Sequence, residues 1–131
     1  MKYSLMVPVA AAIAAGFMSF QGGKEPWVAP ASASKVANPV KKSDAGMKDA
    51  KKVFSSICQT CHGADGTGNG PAAQALNPKP ANFAAASVQK QTDGALYWKI
   101  TEGRGTMAPY KHSLTTDQRW NLVHYIRTFK K

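Results

Sequence analysis

At 131 residues the chain is one domain at most, on the soft rule of ~150 residues per domain. With 44% hydrophobic and 18% charged residues it can build a core, which excludes wholesale disorder. A formal charge of +10 suits acidic partners or an anionic membrane surface. The Lys and Arg from Lys41 to Lys131 are scattered without a recognisable nucleic-acid motif, so no nucleic acid is expected as a partner.

Met1-Lys2 is followed by an apolar, Ala-rich run from Tyr3 to Phe20, the layout of a secretory signal. The run is also near the lower length limit for a membrane-spanning helix. Ala31-Ser32-Ala33 offers an A-x-A cleavage site, though far from the end of the run. No Cys follows to make a lipoprotein anchor. Residues 1–20 are therefore expected as a signal peptide or an N-terminal membrane anchor. Either sends the domain to the periplasm or the outer face of the cytoplasmic membrane, with membrane association through residues 3–20 if the segment is kept.

Residues 21–43 carry Pro26, Pro30 and Pro39 with Ser/Ala repeats and no apolar period, and read as a linker. Fully extended it would reach at most ~75–80 Å, at ~3.3–3.6 Å per residue. Trp27 in this stretch is given no role. A folded domain is expected over 44–131.

Ser43 or Asp44 should cap a helix in which Met47, Ala50, Phe54 and Ile57 recur at helical spacing as the core face. Met47, about two turns before the next motif, is read as core rather than as a metal ligand. The helix delivers its last turn to Cys58-Gln59-Thr60-Cys61-His62. C-x-x-C-H reads as a covalent attachment site for haem c: two thiols add to the two vinyl groups, and the adjacent imidazole becomes an axial iron ligand. With 2 Cys and 3 His in the chain, chance would produce this arrangement roughly once in a few thousand such chains. A thioredoxin-like redox pair would need a βαβ context that is missing. A structural zinc would need further close ligands, and no other Cys exists.

Residues 63–71 form a Gly-rich turn region. Asp65, Thr67, Asn69 and Gly70 imitate the start of an EF-hand loop, but its twelfth place holds Leu76 rather than Glu, so calcium is rejected. Pro71 should begin a short helix to Leu76, followed by a proline-enforced extended segment from Asn77 to Phe83 that lines the haem pocket. A second helix is expected from Thr92 or Asp93 to about Glu102. Leu96, Ile100 and either Tyr97 or Trp98 would face the core, and Gly103 and Gly105 would end the helix.

Met107 follows in a Gly/Pro-bounded loop that helical periodicity cannot explain. A thioether there is well placed as the sixth iron ligand, the other reading being a loop Met that fills a gap. A last helix runs from Thr115 or Thr116 to Phe129. It has Trp120, Val123 and Arg127 on one stripe beside Leu122, Tyr125, Ile126 and Phe129, and His124 on the solvated side. His112 and His124 are the rival sixth ligands, ranked below Met107 in that order.

On these motifs residues 45–129 resemble the class I cytochrome c family in its small bacterial monohaem form. The resemblance implies an all-α fold with crossing N- and C-terminal helices around one covalently bound haem. It implies attachment at Cys58 and Cys61, iron ligation by His62 and Met107, and a backbone carbonyl near Pro71 accepting from the other nitrogen of His62. Where the family has Gly at the helix crossing this chain has Ala50, so the packing there should be slightly wider.

Two protein ligands imply an electron carrier rather than an enzyme. The carrier would serve acidic redox partner proteins such as a quinol-oxidising complex or a terminal oxidase, steered by Lys79, Lys99, Arg104 and Lys111. The alternatives are a membrane-anchored cytochrome c subunit of a respiratory or photosynthetic complex, and a haem peroxidase or gas sensor with a labile sixth ligand.

Overall fold

The computed structural model describes residues 26–131. The targeting segment expected over 1–20, and residues 21–25 of the expected linker, lie outside the described residues. Six α-helical segments follow in order: α1 Ala31–Ser34, α2 Asp44–Val53, α3 Gln59–His62, α4 Ala86–Gln89, α5 Asp93–Glu102 and α6 Thr116–Arg127. Among the described residues there is no strand, only an isolated backbone bridge between Arg104 and Met107. The fold is all-α. No helix of the described residues is long and apolar enough to cross a membrane.

Local chemistry sets the helix starts. The Ser43 hydroxyl accepts from Gly46 N at 3.1 Å, and Thr92 from Ala95 N at 3.2 Å. Thr115 and Gln118 form a reciprocal capping box at α6. Gly103 ends α5 at φ +63°, where any Cβ would strike the Met107 carbonyl.

The most extensive contact between elements is the crossing of α2 with α6. Ala50 is fully buried there, and Gly46, one turn earlier, lies against the Asn121 side chain. The close approach is therefore shared between Gly46 and Ala50. Phe54, 2% exposed, anchors an aromatic cluster with Tyr125, Phe129 and Phe83 at centroid distances of 5.1, 5.4 and 6.2 Å. Burying such a ring contributes about 1.5–3 kcal/mol. α5 joins α6 through Tyr97 stacked on Trp120 at 3.9 Å. The buried Arg119 crosses the Tyr97 ring and donates to Thr101 Oγ1 at 2.8 Å.

Several expectations are revised. Between α2 and α3 the helix widens into a π turn over Phe54–Cys58. The extra residue in that turn rotates the next stretch of helix about its axis. Ile57 therefore leaves the core face, is 39% exposed and lines a cavity beside Cys58. The expected helix from Pro71 is only a 3-10 turn at Ala73–Ala75.

Residues 26–43 are not a free tether in the described part. α1 packs on α5, with Gly94 making room for the Ala33 and Val36 carbonyls. Asn38 donates to the Trp120 carbonyl at 3.2 Å. His124, expected in solvent, is half-buried and donates from Nε2 to the Val40 carbonyl at 2.7 Å. The apolar stripe also loses Arg127, whose guanidinium pairs with Asp93 at 2.7 Å and donates to the Gln89 and Gln91 carbonyls.

Candidate functional site

The C-x-x-C-H residues sit at the end of one continuous helical run. Because that run starts at Asp44 and is locked by α6 through Ala50 and Phe54, its last turns have little freedom. They face a cavity of about 470 Å³. Cys58, Cys61 and His62 line it, with Met107 and Tyr110 from the loop after α5 and with Leu76, Pro80 and Ala81 from the proline segment. Phe54, Ile57, Ile100, Leu122 and Ile126 give it an apolar floor. The size falls within the ~300–1,000 Å³ of cofactor pockets.

Burial pushes the Cys58 thiol up to about 11, with the neighbouring Cys61 adding to the shift. Both cysteines are free, three positions apart on the helical run and open to the same cavity. Among the described residues no cluster of three or more His, Cys, Asp or Glu forms a separate metal site. These residues fit a large apolar macrocycle held by two thioether bonds.

His62 is oriented by its second nitrogen. Nδ1–H donates to the Ala81 carbonyl at 3.1 Å, and the ring stacks on Phe83 with centroids 4.3 Å apart. Nε2 is thereby the nitrogen with a free lone pair. Burial lowers the His62 pKa, opposed in part by the Ala81 bond, so the ring is neutral at pH 7.

The carbonyl near Pro71, expected in this role, does not fill it. Pro71 is exposed and does not line the cavity, because the turn over residues 70–76 is spent on closing the end of α3. Gly70 N and Ala72 N donate to the Cys61 and Thr60 carbonyls. Ala81 comes instead from the proline segment, whose extended backbone leaves its carbonyls without helical partners.

Met107 is half-buried and reaches the cavity from a tight loop in which Arg104 and Met107 exchange backbone bonds at 2.9 and 3.0 Å. The rivals do not reach it. His112 is exposed, His124 is engaged with Val40, and neither lines the cavity. Met47 does not line it either.

The expected basic rim is thinner than the sequence indicated. Arg104 lines the mouth. Lys79 lines it too, but its ammonium donates to the Ala73 and Gln74 carbonyls at 3.0 and 2.9 Å. Lys99 is held by Gln91 Oε1 at 2.6 Å, and Lys111 is exposed away from the cavity. Burial, and then the two cysteines, raise the Tyr110 phenol, which is a neutral hydroxyl at pH 7.

Trp27 also lines the cavity, a place that no motif in the sequence marks out for it. An aromatic side chain in an otherwise small and polar stretch was the only available signal.

Residues 45–126, more than half of the chain, match the family model described as cytochrome C oxidase, cbb3-type, subunit III. No curated protein matches the chain. Among solved structures, a KustC0563 c-type cytochrome is 35% identical with a TM-score of 0.57, over 63% of this chain and 99% of that one. A chain of the Kuenenia stuttgartiensis reducing HAO-like protein complex Kustc0457/Kustc0458 is 25% identical with a TM-score of 0.62. That alignment covers 71% of this chain and 47% of the other, so this chain spans about half the length of that relative. Sequence motif, cavity and family match converge: the chain belongs to the small c-type cytochrome family that this model describes, whose members hold covalently bound haem c for electron transfer.

Proposed function

We propose that this protein is a monohaem c-type cytochrome that carries single electrons between envelope redox partners. The observation that carries the reading is that Cys58, Cys61, His62 and Met107 line one apolar cavity while the other histidines stay out of it. Bound there, haem c supplies reversible one-electron exchange at an iron whose potential His/Met ligation raises. Cys58 and Cys61 would hold it through sulfur. His62 presents Nε2 because Ala81 engages Nδ1. Met107 offers its thioether from the opposing loop. Phe54, Leu122 and Ile126 keep water from the interior. With His62 and Met107 both placed to hold the iron, no position would be left for a small exogenous ligand, which favours a carrier over a peroxidase or gas sensor.

The test is the absorption spectrum of the ferric protein with and without Met107→Ala. The parent should show the weak long-wavelength band of sulfur ligation, and the variant should lose it. A parent without that band defeats His/Met ligation. Acidified organic solvent should leave the pigment on the protein.

In this reading the domain works in the periplasm or on the outer face of the cytoplasmic membrane, and Arg104 at the cavity mouth, with the chain's net charge of +10, steers it to acidic partners. Association with a quinol-oxidising complex or terminal oxidase should slow with salt. An on-rate indifferent to ionic strength removes the steering.

A second reading, a fixed subunit of a respiratory or photosynthetic complex, has two observations in its favour. The matching family model is named for an oxidase subunit. If residues 3–20 remain as an anchor, the packing that begins near Trp27 shortens the expected tether to residues 21–26, a reach of about 20 Å. Such a leash holds the domain at the membrane instead of letting it travel. The mass of the mature protein and its copurification with a membrane complex separate the two readings.

A further inference from the structure

The family match begins at residue 45, yet Trp27 lies far upstream and lines the cavity. Its indole meets Trp98 at a centroid distance of 6.4 Å, tilted by 59°. Two cations lie over its ring, Lys99 Nζ at 5.2 Å from the centroid and outside the cavity lining, and Arg104 Cζ at 6.0 Å and at the cavity mouth. The segment that carries Trp27 is fixed along its length. Ala29 is buried, and α1 lies on α5 where Gly94 admits it. Asn38 and Val40 are tied to Trp120 and His124 of α6. Burial, and then Arg104, lowers the Lys99 pKa, as expected for two like charges gathered at one ring.

We propose that this strap is part of the cofactor site: Trp27 closes one edge of the cavity against water and gathers Lys99 and Arg104 beside it, and so raises the reduction potential of the bound haem. The inference rests on the reading of the cavity as the haem site. The two contributions have the same sign. Excluding water lowers the local dielectric and disfavours the more highly charged ferric state. Nearby positive charges disfavour it as well. Cation–π attraction to the indole face offsets part of the repulsion between the two cations. A chain that starts after the strap would keep every attachment and ligand residue and still have a lower potential.

The experiment is an equilibrium redox titration of the purified haem-loaded protein and its Trp27→Ala, Trp27→Phe and Val28→Ala forms. Val28 is the control, being 74% exposed and outside the haem cavity lining. Trp27→Ala should raise the oxidised-to-reduced ratio at a fixed ambient potential about three- to tenfold; tenfold is 59 mV for a one-electron couple. Trp27→Phe, which keeps an aromatic wall, should stay within about twofold of the parent, and Val28→Ala should match it. If Trp27→Ala does not fold, Trp27→Leu takes its place, keeping bulk but removing the aromatic face, and should still shift the ratio in the same direction. An unchanged ratio in the folded Ala or Leu form, or an equal shift in Val28→Ala, overturns the proposal and leaves the haem reading intact. A parent protein without covalently bound haem overturns the haem reading itself.

Discussion

Cys58, Cys61 and His62 approach the cavity from a helical run that begins at Asp44, whereas Ala81 and Met107 approach it from segments with no α-helix. The helical wall is anchored by full burial of Ala50 and near-full burial of Phe54. The loop wall is held by a few scattered backbone bonds, Phe83 N to the Gly66 carbonyl, Tyr110 N to the Ile100 carbonyl and the paired Arg104–Met107 exchange, with Phe83 its one side chain buried in the aromatic cluster. In the proposed haem reading the difference follows the task of each wall. Two sulfurs and a nitrogen need fixed mutual spacing, which a packed helix supplies through its rise and pitch. A lone thioether and a lone carbonyl need only be brought close, and loops do that without presetting their neighbours.

The comparison is broken most completely by removing the group that both walls enclose. A Cys58→Ala, Cys61→Ala double variant should lose the covalent pigment and most of its far-UV helicity, because a core this small relies on the buried macrocycle for apolar contact. Full retained helicity would mean that the walls stand alone. On the helical wall, Phe54→Ala should cost about 3–5 kcal/mol in denaturant unfolding, since it empties the centre of the aromatic cluster. Met107→Ala on the loop wall should cost well under half of that while abolishing the sulfur band. Equal losses would erase the distinction.

Gly46→Ala sharpens the comparison within the helical wall. A methyl there would sit 2.5 Å from Asn121 Oδ1, so α2 and α6 must part or Asn121 must turn, a cost of about 1–3 kcal/mol. An unchanged unfolding midpoint would show that the crossing tolerates extra volume. On acidification, a proton would reach His62 only by displacing the iron from Nε2, because Nδ1–H is held by the Ala81 carbonyl. Burial of the ring, which disfavours its charged form, acts in the same direction. Titration of the visible spectrum should therefore be flat through about pH 6.5 and change only at lower pH; a transition centred near the usual histidine value would count against ligation by His62. The smallest effect belongs to Asp93→Asn: its ion pair with Arg127 is about a third exposed, and its loss should cost no more than about 1 kcal/mol.

Much of the site was legible from short-range patterns. Cys58, Cys61 and His62 are adjacent in sequence, and their purpose lies in that adjacency. Met107 stood out because a Gly/Pro-bounded loop offers no helical reason for a methionine, and it lines the cavity. The starts of α2, α5 and α6 were readable because caps are local chemistry. Ile57 departs from its expected face because helical periodicity assumes 3.6 residues per turn, and a π turn resets that count. The partner of His62 differs from the expected one because any backbone carbonyl of suitable position will serve, and no side-chain pattern marks one.

From residue order alone came the attachment motif, the helices that flank it and the all-α class, since each depends on neighbours within one or two turns. Tertiary packing decided that Ala81 rather than Pro71 orients the histidine, that Ile57 faces the cavity, that His124 ties down the N-terminal strap, and that Trp27 reaches the cavity. Those outcomes depend on which distant segments meet, and a contact between residues 62 and 81, or 40 and 124, leaves no period in the sequence between them.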